Sequence, residues 1–354
     1  MSLLWSEYEA EFQELVDAAF QYECSAHPDY YASLSPKVER IIYRDTRYNA
    51  DYLYTACLLG EDKIMTDYAA WLFELLANIL KDRQTRQQTA EYTIDNFTAL
   101  RHGVQTVANE EMRPRMLHLL DEAQRSVEQA AAQPPAPIGT PSRYEAEIRD
   151  YMHCLLKKDS RRAMFLVRSY LEKGISLNDV YVEILAESMR RVGELWHTAQ
   201  ITVDTEHYCT SVTQLAMAQL YPALFDKKRR GRTLLCACPG TELHEMGARM
   251  VADVFENDGW DSIYLGAAVP EDALLDAVRE NQPDLVALSV TMPQHLLACR
   301  SLTEAVHRQF PQVKIAVGGK AFESAPGLWK QWPVDIYAPD AREFLRKADA
   351  LFEA

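Results

Sequence analysis

The sequence has no long hydrophobic run. No apolar stretch in its 354 residues approaches the roughly 18 residues that a membrane-spanning helix needs. The N-terminus also lacks the basic segment followed by an apolar segment that marks a secretory signal peptide. We therefore expect a cytoplasmic protein that does not contact a membrane.

Paired cysteines and an excess of positive charge are also missing. The seven cysteines include no C-x-x-C pair, and no zinc-finger or convincing helix-turn-helix pattern is present, so we expect reduced thiols. Lys and Arg number 37 against 52 Asp and Glu, and the net charge of −15 opposes nonspecific binding to nucleic acid. We interpret the basic run within residues 227–232 as a solvated linker and expect no direct DNA binding.

Composition and hydrophobic periodicity divide the chain into five segments. Apolar residues recur at spacings of three and four in the first and third segments, prolines and alanines crowd the second, and strand-like runs alternate with helical ones in the last. The predicted segments are an all-helical domain over 1–130, an Ala- and Pro-rich linker over 131–142, a four-helix bundle over 143–226, a basic linker over 227–232 and a sheet domain over 233–354.

The last segment predicts a doubly wound parallel sheet. Apolar runs alternate with helical stretches and lie at 233–238, 261–267, 284–290, 313–317 and, more weakly, 335–337. Five strands alternating with helices over about 120 residues are typical of a flavodoxin-like, or Rossmann-like, domain. The loops that follow the strands then lie at the carboxyl edge of the sheet, where such domains bind ligands.

Three of these loops carry a candidate site. The first holds Glu242, His244 and Gly247, and its carboxylate can hydrogen-bond one imidazole nitrogen and leave the other for a metal. Small residues follow two later strands: Ser289 and Thr291, then Gly318 and Gly319. Taken separately, His244 could be a surface residue and the glycines ordinary turn residues.

Taken together, the motifs E-L-H-E-M-G, S-V-T and G-G resemble the signature of the cobalamin-binding domain, usually written D-x-H-x-x-G, S-x-T or S-x-L, and G-G. The resemblance implies that His244 is the lower axial ligand of cobalt and displaces the cofactor's dimethylbenzimidazole. That tail would then enter the sheet domain past the small residues of the second and third motifs. Glu242 stands where the family usually has Asp, so its carboxylate must reach His244 on a longer side chain.

The bundle carries a second candidate group. The four predicted helices span 144–158, 161–173, 177–197 and 203–225. Trp196 and His197 end the third helix, and Glu206 and His207 fill the first turn of the fourth, which Thr202 can cap. From the residues alone, Trp196 could be a core residue, and Glu206 could be a first-turn acid that favours the helix dipole.

The spacing of Trp196, Glu206 and His207 is similar to the W-x9-E-H motif of the adenosylcobalamin-dependent photoreceptors of the CarH type. The resemblance implies that Trp196 packs over the upper face of cobalt, that Glu206 hydrogen-bonds the adenosyl group and that His207 lies in the same pocket. It further implies that His197 takes the upper cobalt site after light has broken the cobalt–carbon bond.

The N-terminal domain is rich in aromatic residues, and two interpretations stay open. The aromatic side chains can fill the core of a helical domain. Alternatively, Asp45, Arg47, Tyr48 and Tyr52 line a pocket for a planar ligand, since their polar groups suit a linear tetrapyrrole. A helical domain where the light-dependent repressors have a DNA-binding segment is similar to the photocobilins, and that resemblance implies biliverdin as a second chromophore.

The predicted function is a light-sensing regulatory protein without catalytic activity. It would bind adenosylcobalamin between bundle and sheet domain, form a homo-oligomer whose assembly depends on light, and signal to a protein partner that the sequence does not identify. A single-chain cobalamin mutase is excluded because its TIM barrel takes about 250 residues. A methylcobalamin carrier for a methyltransferase system and a cobalamin storage protein are the alternatives.

Overall fold

The computed structural model describes residues 8–134, 138–139, 141–225 and 227–353. The chain forms two compact units, Met1–Ala136 and Pro137–Ala354. Residues 135–137 and 140 of the predicted linker, and residue 226 at the end of the predicted bundle, lie outside the described residues. The prediction of a helical N-terminal region followed by a parallel α/β domain is confirmed.

The first unit is helical. Its helices are α1 Glu9–Ala26, α2 Pro28–Ala32, α3 Pro36–Leu59, α4 Asp62–Ile79, α5 Arg86–Val107 and α6 Arg113–Ala131. Local signals fix several helix ends: Ser35 caps α3 ahead of Pro36, and Thr85 forms a capping box with Gln88 at the start of α5. Aromatic and aliphatic side chains fill the core, with Phe12, Leu53, Tyr54, Phe73 and Phe97 fully buried.

The second unit begins with the helical bundle. Its helices are α7 Glu145–Leu156, α8 Ser160–Glu172, α9 Leu177–Asp179, α10 Ala186–His197 and α11 Val203–Leu220. A π-helical segment, Val180–Leu185, joins α9 to α10, so one continuous helical stretch spans 177–197, as expected, with a π-helical part within it. Such segments insert an extra residue into a helix and are frequent at functional sites. Here the segment contacts the sheet domain through Tyr181.

The sheet domain follows the predicted alternation. Its elements are β1 Thr233–Pro239, α12 Met246–Asn257, β2 Asp261–Val269, α13 Glu271–Asn281, β3 Leu285–Ser289, α14 Leu296–Gln309, β4 Lys314–Gly318, β5 Ile336–Ala338 and α15 Ala341–Phe352. All neighbouring strands are parallel, in the order β2-β1-β3-β4-β5. The strand order reverses between β1 and β3, and ligands bind in the crevice outside the carboxyl ends at such a point.

Hydrogen bonds and ion pairs fix α9 and the π-helical segment to the sheet domain. The buried hydroxyl of Tyr181 donates to Asp253 Oδ2 on α12 at 3.0 Å. Arg342 on α15 donates to Asp179 Oδ1 at 2.6 Å and to Glu183 Oε1 at 2.8 Å. Met250 of α12 belongs to the same apolar core as the buried bundle residues. The bundle therefore covers the sheet domain as a packed layer.

The basic run 227–232 is mostly exposed and lies outside helices and strands, and three of its arginines bind the sheet domain. Arg229 donates to the backbone oxygen of Trp260 at 2.7 Å, and Arg230 pairs with Asp349 at 2.5 Å. Arg232 donates to the backbone oxygen of Phe352 at 3.1 Å. These arginines bind the sheet domain itself, because their guanidinium groups find acceptors at the amino edge of the sheet and on α15.

Across the described parts of the chain, no helix combines the length and the apolar character that crossing a membrane requires.

Candidate functional site

The loop between β1 and α12 places a buried carboxylate beside an imidazole. Glu242 is fully buried, and its Oε1 accepts from the backbone N–H of His244 at 3.0 Å and lies 2.6 Å from His244 Nδ1. Its Oε2 accepts from the backbone N–H groups of Thr291 at 2.9 Å and Met292 at 2.8 Å. The longer Glu side chain thus reaches His244 and also joins the loop after β1 to the loop after β3.

The electrostatics of this pair favour an ionised carboxylate. Burial alone would raise the pKa of Glu242, but hydrogen bonds from the His244 imidazole and from the backbone of Met292 and His244 outweigh it and lower the pKa to about 2. The hydrogen bond to Glu242 raises the pKa of His244, burial opposes that rise, and the charges of Glu242 and Glu206 add to it.

The His244 ring is oriented and accessible. Its side chain is 57% exposed, and within the described part of the chain its Nε2 has no hydrogen-bond partner. A carboxylate that holds Nδ1 fixes the tautomer and leaves Nε2 as a basic metal ligand. The ring can therefore donate an electron pair to a metal ion presented from the bundle side.

A cavity of about 180 Å³ lies at the carboxyl ends of the strands and reaches Gly247, three residues after His244. Its wall combines small residues at the carboxyl ends of the strands with residues of α12, α15 and the π-helical segment. The lining includes Val182, Cys236, Gly247, Ala287, Ser289, Ala316, Gly318, Gly319, Ala338 and Phe344. Most of these side chains are apolar, so the cavity suits an aromatic group and offers few hydrogen-bond partners in its depth.

Glycine occupies the three motif positions for different physical reasons. A Cβ at Gly318 would lie 2.7 Å from the backbone oxygen of Ala338, and one at Gly319, where φ is +99°, would lie 2.3 Å from that of Val290. Both would collide with the sheet before they could block a ligand. At Gly247 the nearest atom within reach of a Cβ is Ser289 Oγ, at 3.8 Å. Gly247 alone is thus replaceable without a clash in the fold.

Thr291 contributes its backbone rather than its side chain to the site. Its N–H group binds Glu242, whereas Ser289 lines the cavity. The S-V-T motif therefore combines a cavity residue with a residue that helps to hold Glu242. Sequence reasoning assigned both to the cavity, because it could not distinguish backbone from side-chain roles.

The bundle presents its motif residues at the end of α10 and the start of α11. Trp196 and His197 are half-buried in the last turn of α10. Glu206 Oε2 lies 2.6 Å from His207 Nδ1, and the side chain of His207 is 74% exposed. Gln214 on α11 donates to Glu245, the residue after His244, at 3.1 Å, so α11, which carries Glu206 and His207, lies against the loop of His244.

The predicted side-chain cap of α11 is wrong. Thr202 occupies the position before the helix, but its Oγ1 lies 3.1 Å from Thr205 Oγ1 and makes no capping bond to the backbone. The first turn of α11 is therefore held by its acidic residues, Asp204 and Glu206, which suit the positive end of the helix dipole.

Two buried polar residues near the site were missed from the sequence. Gln294 and His295 begin the helical stretch after β3 and are only 5% and 6% exposed. Burial lowers the pKa of His295, with Glu242 opposing and His244 adding to the shift, so its ring lies near both. The available signal was a Gln–His pair two residues beyond the S-V-T motif, which resembles the ordinary start of a helix.

The N-terminal residues proposed for a planar ligand are only partly brought together. All four lie on α3, and Tyr52 stacks on Tyr68 of α4 with ring centroids 3.7 Å apart. Burial raises the pKa of Tyr68, and Tyr52, Asp45 and Tyr48 add to the rise, so these three face α4. Arg47 instead donates to Gln13 Oε1 on α1 at 2.7 Å.

Comparison with known proteins matches both parts of the second unit. A family model described as B12 binding domain matches residues 232–346, and a second model of the same description matches residues 147–221. The chain therefore carries cobalamin-binding domains and is a cobalamin-binding protein.

Curated relatives include transcriptional repressors and corrinoid proteins. The HTH-type transcriptional repressor CarA of Myxococcus xanthus is 31% identical over 120 residues, which is 34% of this chain and 41% of the repressor. CarH of the same organism is 27% identical over 157 residues, which is 44% of this chain and 52% of that repressor. The trimethylamine corrinoid protein of Methanosarcina barkeri is 24% identical over 203 residues, which is 54% of this chain and 90% of that protein. The chain thus spans about half the length of the repressors it matches.

Among solved structures, the monomethylamine corrinoid protein of Methanosarcina barkeri superposes with a TM-score of 0.53. The match is 18% identical and covers 59% of this chain and 99% of that protein. At this identity the likeness establishes the fold of the second unit.

The site fits the cofactor that these domains bind. His244 offers one oriented nitrogen for cobalt, and the cavity at the carboxyl ends of the strands has the apolar lining that a benzimidazole tail requires. The open space at Gly247 lies at the wall of that cavity. These residues therefore match a corrinoid whose lower base has been replaced by a protein imidazole.

We expect Glu242→Gln to lower the free energy of unfolding by about 1–3 kcal/mol, because one amide oxygen cannot accept all the bonds that the carboxylate receives. Urea titration followed by circular dichroism measures the change. The control is Glu172→Gln on α8, whose side chain is 63% exposed and whose loss should cost no more than about 0.5 kcal/mol. Equal urea midpoints for the two variants would contradict the structural role of Glu242.

We expect Gly247→Val to weaken cobalamin binding about ten- to a hundredfold, because overfilling a packed site costs about 1–3 kcal/mol. Affinity for cobinamide, a corrinoid without the nucleotide tail, should stay near that of the unmodified protein. Isothermal titration calorimetry with both corrinoids separates the two effects. An equal loss for both ligands would show that Gly247 does not border the tail.

Proposed function

We propose that this cobalamin-binding protein is a light sensor that uses adenosylcobalamin and has no catalytic activity of its own. The observation that carries the proposal is the bond from Gln214 on α11, the helix of Glu206 and His207, to Glu245, the residue after His244, at 3.1 Å. Residues from both domains thus converge on one space. The W-x9-E-H spacing within it resembles that of the adenosylcobalamin-dependent photoreceptors.

The sheet domain supplies the lower side of the proposed site. Glu242 holds His244 so that Nε2 is free to bind cobalt, and Gly247 and Ser289 border the cavity for the nucleotide tail. This side is organised by hydrogen bonds within the protein. It can bind a corrinoid whatever group occupies the upper face.

The bundle supplies the upper side and would distinguish the adenosyl form. The half-buried Trp196 offers a flat apolar surface, and Glu206 offers a carboxylate that already accepts from the Thr210 hydroxyl at 2.9 Å. An adenosyl group has both an aromatic base and hydroxyl donors, so it can use both side chains. His207 and His197 border the same region, and His197 is the candidate for the site that the adenosyl group leaves.

When bound, adenosylcobalamin supplies a cobalt–carbon bond that visible light breaks. A response requires that the two cofactor states stabilise different arrangements of the protein. The contacts of Trp196 and Glu206 with the adenosyl group would be present in one state only. We propose that their loss shifts the bundle and thereby changes homo-oligomer assembly or the contact with a protein partner.

A second chromophore is proposed for the N-terminal unit. One side of α3 carries Asp45, Tyr48 and Tyr52 and faces α4. The stacked rings of Tyr52 on α3 and of Tyr68 and Trp71 on α4 form an aromatic surface. Tyr48 is 46% exposed and thus available to a ligand. Biliverdin, a linear tetrapyrrole, suits this combination of rings and a carboxylate.

A corrinoid carrier for a methyltransferase system is the second candidate function. The specific observation in its favour is the match to the trimethylamine corrinoid protein, which covers 90% of that protein. A methyl group is too small to contact both Trp196 and Glu206. The carrier function and a simple storage function therefore predict that replacing Trp196 leaves the choice between cobalamin forms unchanged.

The decisive experiment compares the unmodified protein and Trp196→Ala, each loaded with adenosylcobalamin or methylcobalamin, by absorption spectroscopy in the dark and after green light. We expect the unmodified protein to give a stable protein-bound photoproduct and to prefer the adenosyl form. Trp196→Ala should lose that preference because the apolar surface over the adenosyl group is removed. Stable binding without a protein-specific photoproduct would support the carrier or storage function instead. Biliverdin added in a parallel series tests the second chromophore through a shifted red band.

We expect His244→Ala to abolish the absorption spectrum of histidine-ligated cobalt, because Glu242 holds the His244 imidazole at that position. His153→Ala is the matched control, since its side chain is exposed in the last turn of α7. Absorption spectra of both variants loaded with cobalamin measure the ligation. An unchanged spectrum and affinity in His244→Ala would rule out its role as the axial ligand.

A further inference from the structure

The chain enters the bundle through Gly139, which is held against α10. The backbone N–H of Gly139 donates to Glu194 Oε2 at 2.6 Å. Gly139 has φ of +76°, and a Cβ there would lie 2.6 Å from Arg191 Nε. This position therefore requires glycine. Gly139 follows closely on Ala136, the last residue of the first unit, so the contact lies on the covalent connection between the units.

Arg191 is a rigid partner in this contact. Its Nε donates to Glu187 Oε1 at 2.6 Å, and its two terminal nitrogens donate to the two carboxylate oxygens of Glu145 at 2.7 and 2.8 Å. The Arg191 side chain is only 12% exposed. Carboxylates from α10 and α7 thus fix the guanidinium group, and it cannot easily move aside to admit a larger residue at position 139.

Glu194 is tied directly to the turn that carries Trp196 and His197. Its backbone oxygen accepts from the backbone N–H of Thr198 at 2.9 Å and from the Thr198 hydroxyl at 2.8 Å. Ala199 closes the turn with φ of +51°, a left-handed conformation that strains a residue with a Cβ. A rearrangement of this turn would therefore release strain and alter the bonds that orient Glu194.

We propose that the Gly139–Glu194 contact couples the state of the bound cofactor to the stability of the linker at Gly139. A change at Trp196 or His197 rearranges the last turn of α10, reorients Glu194 and loosens its hold on Gly139. The part of this inference that concerns light rests on the proposed function. The dependence of the contact on cobalamin loading requires only that the cofactor touches the end of α10.

Amide hydrogen exchange of the full chain tests the inference, because the Gly139 N–H is itself the donor. It is measured by mass spectrometry without cofactor, with adenosylcobalamin in the dark, and after illumination. We expect loading to slow the exchange of the Gly139 amide about tenfold and light to restore most of it, as expected when local opening becomes harder or easier. Glu194→Ala should show fast exchange in every state, and its cobalamin affinity should fall by up to about tenfold, because the coupling is reciprocal.

Two matched controls separate the contact from general effects on folding. Glu172→Ala removes an exposed acid from α8 and should leave the exchange of Gly139 as in the unmodified protein. Gly139→Ala should speed exchange across the linker, whereas Gly174→Ala should not, although Gly174 also has positive φ, at +85°, with no atom near its Cβ position.

Equal exchange of the Gly139 amide in the empty and loaded protein would overturn the inference. So would slow exchange in Glu194→Ala. If loading slows the exchange but illumination does not change it, the coupling between cofactor and linker is upheld and the proposed light response is contradicted. Failure of the inference and failure of the proposed function are therefore distinguishable.

Discussion

The carboxylate of Glu242 is the interaction on which the rest of the site depends. A buried charge is costly unless hydrogen bonds satisfy it, and this one is satisfied from two loops at once. Parallel strands β1 and β3 are neighbours, so the loops that leave their carboxyl ends converge at the point where the strand order reverses. Glu242 fastens these loops together, and His244 is thereby oriented before any ligand arrives. Preorganisation of this kind lowers the entropy cost of binding.

Much of this could be predicted from the sequence, because strands, helices and motifs have local signals. The apolar runs predicted the five strands, and the spacing around His244 predicted its carboxylate partner. The π-helical segment Val180–Leu185 could not be predicted, since its residues have ordinary helical periodicity. The pairing of Arg229 with the sheet domain, and the turn of Arg47 towards α1, depend on which elements pack together. Contacts of this kind cannot be read from local composition, because they join elements that are distant in the sequence.

The bundle is attached to the sheet domain unevenly. Near the π-helical segment the attachments are buried, as with Tyr181 and Asp253, or belong to an ionic network around Asp179. On the α11 side, Met217 and Leu220 share a buried apolar core with Met250 of α12, and Gln214 donates to Glu245 at 3.1 Å in an exposed bond. Buried bonds contribute more to stability than exposed ones, which water and salt weaken. The buried contacts therefore fix the position of the bundle, and the exposed bond contributes less.

The proposed site is divided between the sheet domain and the bundle. The sheet domain carries the residues that set cobalamin affinity, and the bundle carries those that would produce a response to the cofactor state. His244 and Gly247 belong to the sheet domain, whose geometry is fixed by Glu242 irrespective of the bundle. A ligand that contacts only the sheet domain would bind equally well to any two arrangements of the bundle. Equal binding does not shift the equilibrium between them. The state-dependent part of the binding energy must therefore come from the bundle, through Trp196 and Glu206. The upper group of the corrinoid, rather than its tail, would then decide which arrangement the protein adopts.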